Sequence, residues 1–333
     1  MNTRKTTLLL VLLSGFSIVI ALSIGSVKIP LKEVFSSLSP STISLYREGK
    51  LSGLEFIILD IRLPRVLLAY LVGFALALSG TASQALFRNP LADPYILGIS
   101  GGASIGAALA LAYNPKYIEL FAFLGAVAAV YTVYRISKVN GHIPVDVLLL
   151  AGIAVGFFSH AITSYILYTN KDKIHQGLLW LFGTFALATW GKVSIMFIAT
   201  LVGGFLLLTS WRELNLLLLG EESIALGLDI NLYRKMIIFA ISIMTGVAVA
   251  ESGIIGFVGL VSPHVMRLIV GPNHKRLLPN AAMFGGTLLV ISDLISRTAI
   301  APAEIPIGIV TAMFGAPFFA YLLVRRKRGE LYA

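Results

Sequence analysis

The strongest constraint on this fold is a series of apolar stretches that are long enough to cross a lipid bilayer and are broken by short polar turns. Residues 66–86 form one such stretch, and another follows after an interruption that contains Arg88, Asn89, Pro90 and Asp93. Because lipid offers the backbone no hydrogen-bond partner, stretches of this kind predict helices. The pattern therefore predicts a chain that crosses the membrane several times, with a helix-breaking turn at one membrane face.

Composition supports this class. Hydrophobic residues make up 57% of the 333 residues and charged residues 13%, about half of the usual charged share of a soluble domain. The formal net charge is +10, but the basic residues flank apolar stretches instead of lining one soluble face, which disfavours nucleic-acid binding. The absence of cysteine excludes disulfides and thiolate metal sites. We therefore expect an all-α polytopic membrane protein.

Hydropathy predicts about ten membrane-spanning helices in each subunit. They cover residues 7–24, 66–86, 95–113, 118–134, 147–168, 193–209, 236–250, 253–270, 277–295 and 305–324. The division near Glu251 rests on Ser252, Gly253 and Gly256, because residues 236–270 are too many for one helix and barely enough for two. The whole chain, 1–333, is predicted to form one transport domain. Its predicted parts are helix 1 at 7–24, a first repeat at about 62–168, the sixth helix with a coupling segment at about 191–235, and a second repeat at about 236–326.

An even number of spans places both termini on one side of the membrane. Arg4, Lys5 and the basic residues Arg325–Arg328 predict that this side is the cytoplasm, with the chain a multi-pass protein of the cell (inner) membrane. The first residues also resemble a signal peptide. Their apolar core is longer than the roughly 7 to 15 residues usual for such peptides, which favours a retained helix.

A weak internal repeat occurs at an offset of 173 residues. Gly73, Ala75, Ser79 and Gly80 recur as Gly246, Ala248, Ser252 and Gly253. Since five spans separate the two sets, helices 2–5 and 7–10 would run in opposite senses, as in many transporters. The alternative is that small residues recur by chance in helices that pack closely.

The longest polar interruption predicted on the cytoplasmic side runs from Ser210 to Lys235. Its apolar residues, which include Leu214, Ile224 and Leu226, recur at near-helical spacing beside several acidic residues. This pattern predicts short amphipathic helices outside the bilayer. The acidic polar face favours a groove on a soluble partner over the lipid surface, where a basic polar face is typical.

Several segments together resemble one known family. They read RLPR (62–65), SGTASQALFRNPLADPYILGIS (79–100), LLLAGIAVG (148–156), GEESIALGLDI (220–230), GFVGLVSPHVMRL (256–268), ISDLISR (291–297) and EIPIGIVTAMFGAPFF (304–319). This order strongly resembles the FecCD-type permeases of ABC importers, which move iron-siderophores, haem or cobalamin. The similarity extends from about residue 62 to residue 326.

The resemblance implies partners and a cargo. We expect a homodimer, or a pairing with a paralogous permease, around a central path, together with two cytoplasmic ABC ATPases and an extracytoplasmic substrate-binding protein. No cofactor is expected on this chain, since ATP and Mg would be used by the ATPase. Iron-siderophore is the first expected cargo, followed by cobalamin and haem.

The resemblance also assigns roles to particular residues. Arg62, Arg65 and Arg297 match arginines that receive acidic residues of the docked binding protein. From the residues alone, the alternatives are ordinary snorkelling at the interface and, for Arg297, pairing with Asp293 four residues earlier.

Two further sites follow from the same match. Asn89 and Leu91, fixed by Pro90, match a cytoplasmic gate, while Val145 and Asp146 align more loosely with a second constriction. Asp146 could instead cap the fifth helix. The segment that matches the ATPase-coupling helices consists of Gly220, Glu221, Glu222, Ser223, Ile224, Ala225, Leu226, Gly227 and Leu228.

Three ionisable residues near the spans receive structural expectations. His160 is expected to be a hydrogen-bonded packing residue, Glu251 to lie near the outer interface, and Glu304 to lie there as a helix cap.

Enzyme signatures are missing from the sequence. It has no GxxxxGK[ST] loop, HExxH or GxSxG motif, so we predict a transport subunit whose ATP hydrolysis occurs on another chain. The remaining alternative is a secondary transporter driven by an ion gradient. Such a protein would place ionisable residues at mid-membrane and would lack a cytoplasmic docking element.

Overall fold

The computed structural model describes residues 3–25, 27–51, 53–220, 222–227 and 229–327. Within these ranges the chain is helical, and the only extended pairing that they contain is an isolated bridge between Val139 and His142. The helices are α1 (Thr3–Ser23), α2 (Leu31–Ser37), α3 (Pro40–Arg47), α4 (Gly53–Phe56), α5 (Leu63–Leu86), α6 (Ile99–Tyr113), α7 (Ile118–Ser137), α8 (Val145–Thr169), α9 (Ile174–Leu181), α10 (Trp190–Thr209), α11 (Trp211–Leu217), α12 (Glu222–Ala225), α13 (Ile230–Ser252), α14 (Val258–Val270), α15 (His274–Thr298) and α16 (Ile307–Lys327). Short 3₁₀ turns cover Pro94–Leu97, Pro115–Tyr117 and Lys171–Lys173, and a π-helical segment covers Ile57–Arg62.

Among the described residues, seven helical segments are long and apolar enough to cross a membrane. Helices α6 and α14, and the part of α16 from Ile307 to Tyr321, are shorter apolar helices. Together they match the ten predicted spans one by one. The predicted division near Glu251 is confirmed, because α13 ends at Ser252, Gly253 has a φ of +73°, and the next helix begins at Val258. Glycine suits this left-handed position because it has no side chain to clash.

Several predicted helix boundaries are wrong. The helix predicted from residue 236 begins at Ile230, and the second span continues backward to Gly53 through the π-helical segment. The third span starts at Ile99 instead of residue 95, since Gly98 has a φ of +77°. Hydropathy measures apolar length, so it does not detect polar turns that remain helical. The short helices α2, α3 and α9 were not predicted for the same reason.

Helix α5 lies at the centre of the bundle and is buried along most of its length. It packs against α10, α13, α14 and α15. A Cβ atom added at Gly73 would lie 2.3 Å from the carbonyl oxygen of Gly285, so α5 and α15 meet backbone to backbone. Close contacts of this kind are how glycine-rich membrane helices pack.

The packing agrees with the inverted repeat. Helix α5 packs on α14 and α15, and its predicted counterpart α13 packs on α6 and α7. The repeated glycines correspond only in part, because Gly73 faces α15 and Gly246 faces Phe123 of α7, whereas Gly80 faces α14 and Gly253 faces the end of α9 and the segment after it. The inverted repeat therefore stays a prediction.

Candidate functional site

The loop that the sequence predicts to form a cytoplasmic gate, residues 87–93, connects α5 to the short turn before α6. We call it the gate loop. Arg88 adopts a left-handed φ of +48°, and the side-chain oxygen of Asn89 accepts a hydrogen bond from the backbone N–H of Leu91 at 2.9 Å. Pro90 cannot continue a helix, so the chain turns here. The structure thus places Asn89, Pro90 and Leu91 in the fixed turn that the sequence predicted.

The end of the gate loop is tied to the break between α13 and α14. Asp93 accepts a hydrogen bond from the backbone N–H of Tyr95 at 2.9 Å, and the Tyr95 hydroxyl donates to the carbonyl oxygen of Ile255 at 3.0 Å. Burial raises the pKa of the Asp93 carboxyl to about 6, although the hydrogen bond from Tyr95 opposes this shift. Burial also raises the pKa of Tyr95, which remains protonated at neutral pH.

A cavity of about 620 Å³, which we call the gate cavity, opens beside this loop. It is lined by Phe87, Arg88, Asn89, Ala92, Ile96, His142, Pro144, Val145, Asp146, Leu149, Ile224, Ile230 and Arg234. The cavity brings together Asn89, the second predicted constriction at Val145 and Asp146, and Ile224 of the predicted coupling segment. Pro90 and Leu91 are not among its lining residues. Asp146 lies in the first turn of α8, whose N-cap is Pro144, so the capping alternative is wrong.

The stretch from Ser210 to Lys235 contains the short helices α11 and α12, as its amphipathic pattern predicts. Leu214 and Leu217 of α11 are buried against the protein itself, whereas Ile224 and Leu226 are 55% and 61% exposed. The buried leucines are therefore unavailable to a partner, and the exposed pair forms the outward apolar face. Glu221 and Leu228 lie outside the described residues, so the structure gives no account of them.

Two glycines shape the coupling segment. Gly220 and Gly227 have φ values of +68° and +85°, which side chains rarely adopt. Between them, the buried Ser223 hydroxyl donates to the carbonyl oxygen of Gly220 at 2.5 Å. Glu222, Ser223, Ile224 and Ala225 form the single turn α12, which is thus held between two tight bends.

Arg88 joins the gate loop to the coupling segment, and sequence reasoning missed it. A Cβ atom at Gly220 would lie 2.3 Å from Nη1 of Arg88, so the guanidinium packs directly on the glycine. Gly220 therefore provides both the bend and the space for Arg88. No local pattern signals a contact between residues so far apart in sequence.

At the far end of α5 lies what we call the arginine cluster, formed by Arg62, Arg65, Asp293, Arg297 and Glu304. Arg65 donates to Asp293 from Nε and Nη2 at 3.0 and 2.9 Å, and from Nη1 to Glu304 at 2.8 Å. Asp293 also pairs with Arg297 at 3.4 Å, as the four-residue spacing allowed. Glu304 is not the predicted helix cap, because it pairs with Arg65 instead.

Arg62 and Arg297 of the cluster also cap the end of α1. Nη1 of Arg62 donates to the carbonyl oxygens of Leu22 and Ser23 at 2.6 and 3.1 Å, and Nη2 of Arg297 donates to that of Ala21. Carbonyls at a helix C-terminus lack partners inside the helix, so cations stabilise them. All three arginines are less than 10% exposed. The structure thus brings together the three predicted docking arginines, but with their guanidinium groups turned inward.

His160 does not fit its expected packing role. It is exposed on α8, whose outward surface also presents Phe157, Tyr165 and Tyr168. Glu251 is buried at the end of α13. In the described part of the chain, no group of three or more histidine and acidic side chains could hold a metal ion.

Comparison with known proteins gives consistent results. The FecCD transport family matches residues 9–325. The cobalamin import system permease protein BtuC of Halobacterium salinarum is 43% identical over 277 residues, which cover 82% of this chain and 74% of that protein. The hemin transport system permease protein HmuU of Yersinia pestis is 38% identical over 328 residues, or 95% of this chain and 96% of that protein.

A solved structure is also similar. It is described as an inward-facing conformation of a metal-chelate type ABC transporter, and it superimposes with a TM-score of 0.85 at 32% identity. The match covers 97% of this chain and 99% of the other.

Proposed function

Because the chain belongs to the FecCD transport family, we propose that it moves a bulky metal chelate inward across the cell membrane. It is the permease of an ABC importer, a transport subunit and not an enzyme. Relatives are named for cobalamin, hemin and iron chelatin transport, which supports the broad class of cargo. Within this class, iron-siderophore is the first proposed cargo, followed by cobalamin and haem.

The proposed assembly contains permease, ATPase and binding-protein subunits. A second copy of this chain, or a paralogous permease, forms the path; two cytoplasmic ABC ATPases bind ATP and Mg; and an extracytoplasmic binding protein delivers the cargo. The exposed side chains of Ile224 and Leu226 support the ATPase contact, because an apolar surface outside the membrane fits a groove of a soluble partner.

The observation that carries this proposal is the contact between the coupling segment and the gate. Ile224 lines the same cavity as Asn89 and Asp146, and Arg88 packs on Gly220. A displacement of the coupling segment by an ATPase would therefore act directly on the loop that narrows the path. Because the coupling segment and the gate loop are in contact, they can move together between an arrangement that closes the path and one that opens it.

The arginine cluster supports docking at the opposite end. Its three arginines and two acids leave one net positive charge, which attracts an acidic partner over a distance of about one Debye length. Since the guanidinium groups already have internal acceptors, carboxylates of the binding protein would compete with Asp293 and with the carbonyls of α1. We propose that the binding protein is attracted by this charge and docks when its carboxylates replace some of the internal acceptors of the arginines.

Uptake into proteoliposomes tests the proposal. The permease is reconstituted with its ATPase and binding protein, and labelled iron-siderophore, cobalamin or haem is added outside. We expect accumulation that requires ATP and the binding protein, and none with permease alone under a proton or sodium gradient. Gradient-driven uptake without ATP would contradict the proposal in favour of a secondary transporter.

A further inference from the structure

Helix α15 has polar contacts at both ends of the bundle. It contains 25 residues and is therefore about 37 Å long. Asp293 and Arg297 place its last turns in the arginine cluster, while His274 begins it on the side of the coupling segment. An element with both ends anchored can carry a displacement from one end to the other.

At the beginning of α15, Asn215 of α11 is hydrogen-bonded to both the backbone and the side chain of His274. We call this contact the clasp. The side-chain oxygen of Asn215 accepts from the backbone N–H of His274 at 3.0 Å and lies 2.7 Å from Nδ1 of the same histidine. An oxygen that accepts both bonds requires the proton on Nδ1. His274 is 1% exposed, so water does not compete for this contact.

Two weaker contacts surround the clasp. Nδ2 of Asn215 donates to the side-chain oxygen of Asn273 at 3.3 Å, and the ammonium of Lys275 lies 5.2 Å from the centre of the Trp211 ring. Both join α11 to the start of α15. Helix α11 is therefore attached at two of its turns.

The middle of α15 packs closely on α5, because Gly285 and Gly286 leave room for backbone and side-chain atoms of α5. A Cβ atom at Gly285 would lie 2.5 Å from Cβ of Ala77 and 2.6 Å from the carbonyl oxygen of Gly73. Tyr70 covers the neighbouring Gly286 in the same way, at 2.7 Å. Because packed backbones cannot slide past each other without losing contact, α5 and α15 behave as one body. The C-terminal end of α5 carries the gate loop.

We propose that Asn215 and His274 are positioning residues that transmit movement of the coupling segment to the α5–α15 pair, and through it to the gate loop and the arginine cluster. This inference rests on the proposed function, because it assumes an ATPase that moves the coupling segment. Neither residue touches cargo. Their role is to make α11 and α15 move together.

The test measures how strongly loaded binding protein stimulates ATP hydrolysis by the reconstituted complex. We expect Asn215→Leu to lower this stimulation about fivefold, while basal hydrolysis and co-purification of the ATPase persist. Asn215→Asp keeps the accepting oxygen and should retain at least half of the stimulation. A residue that served stability alone would not separate basal from stimulated hydrolysis.

The chain offers a control in Asn114, whose side-chain oxygen accepts a hydrogen bond from the backbone N–H of Lys116 at 3.2 Å between α6 and α7. Asn114→Leu also removes an asparagine oxygen that accepts from a backbone N–H, but away from α15 and from the gate cavity, and it should leave stimulation unchanged. Full stimulation in Asn215→Leu would overturn the inference, and so would loss of the ATPase from this variant. Either result would leave the proposed function intact. A wild-type complex that lacks stimulation would overturn the proposed function together with the inference.

Discussion

Asp293 shows at the residue scale how one buried carboxylate can join three elements. It pairs with Arg65 of α5 and with Arg297 of its own helix, and Arg297 in turn caps α1. Removal of its charge leaves two arginines with a neutral neighbour in a buried site. The cost of such a change is far larger than that of losing a surface pair.

We therefore expect Asp293→Asn to lower the free energy of unfolding by about 3 to 5 kcal/mol, measured by denaturant titration in detergent micelles. Glu48→Gln is the control, because Glu48 forms an exposed pair with Lys50 at 2.9 Å. That change should cost less than about 1 kcal/mol. Equal stability of the two variants would contradict a structural role for the cluster.

Asp93 gives a prediction about pH. Because burial raises its pKa to about 6 in the folded protein, its stabilising contribution is present below its ordinary pKa and is lost as the pH rises through 6. Asp93→Asn keeps the acceptor for Tyr95 but does not titrate. Relative to this variant, the wild type should lose at most about 3 kcal/mol of stability between pH 4 and pH 7. Melting temperatures measured across that range test this, and a constant difference between the two proteins would refute it.

Residue chemistry was only partly predictable. The spacing of Asp293 and Arg297 allowed their pair to be foreseen, because four residues along a helix bring two side chains together. The contact of Arg88 with Gly220, and the inward direction of Arg62, depend on how distant elements meet. Local spacing carries no signal for them.

Gly227 gives a prediction at the scale of the element, since its bend ends the short helix of the coupling segment. Gly49, in the loop after α3, also has a positive φ, +68° against +85°, and equally open surroundings. Alanine at either position should therefore cost a similar amount, about 1 to 2 kcal/mol of backbone strain. Only Gly227→Ala should also reduce ATPase stimulation several-fold. The same reduction in Gly49→Ala would show that strain, and not position, is responsible.

The existence of the apolar helices could be predicted from the sequence, but their ends could not be predicted as well. Their existence follows from apolar length, which a bilayer imposes directly. Their ends depend on turns such as Gly98 and on polar helical residues such as Ile230–Lys235, where tertiary packing decides. For the coupling segment, the amphipathic pattern identified helices but not which leucines they bury.

The predicted orientation of the whole molecule in the membrane can be tested by cysteine labelling. The chain contains no cysteine of its own, so only an introduced cysteine would react. Glu48 and Arg212 are both exposed and lie on opposite sides of the predicted membrane. A membrane-impermeant thiol reagent should label Glu48→Cys in intact cells and Arg212→Cys only after permeabilisation. The opposite pattern would place the coupling segment outside and would exclude an ATPase partner there.

The polar groups on the outward face of α8 bear on how a cell produces this protein. Tyr165 and Tyr168 lie in the last turns of α8, where tyrosine is common at the membrane interface, but the exposed imidazole of His160 lies nearer the middle of the helix. An imidazole among acyl chains is costly, so a copy that has not met its proposed partner would be less stable in the membrane than an assembled one.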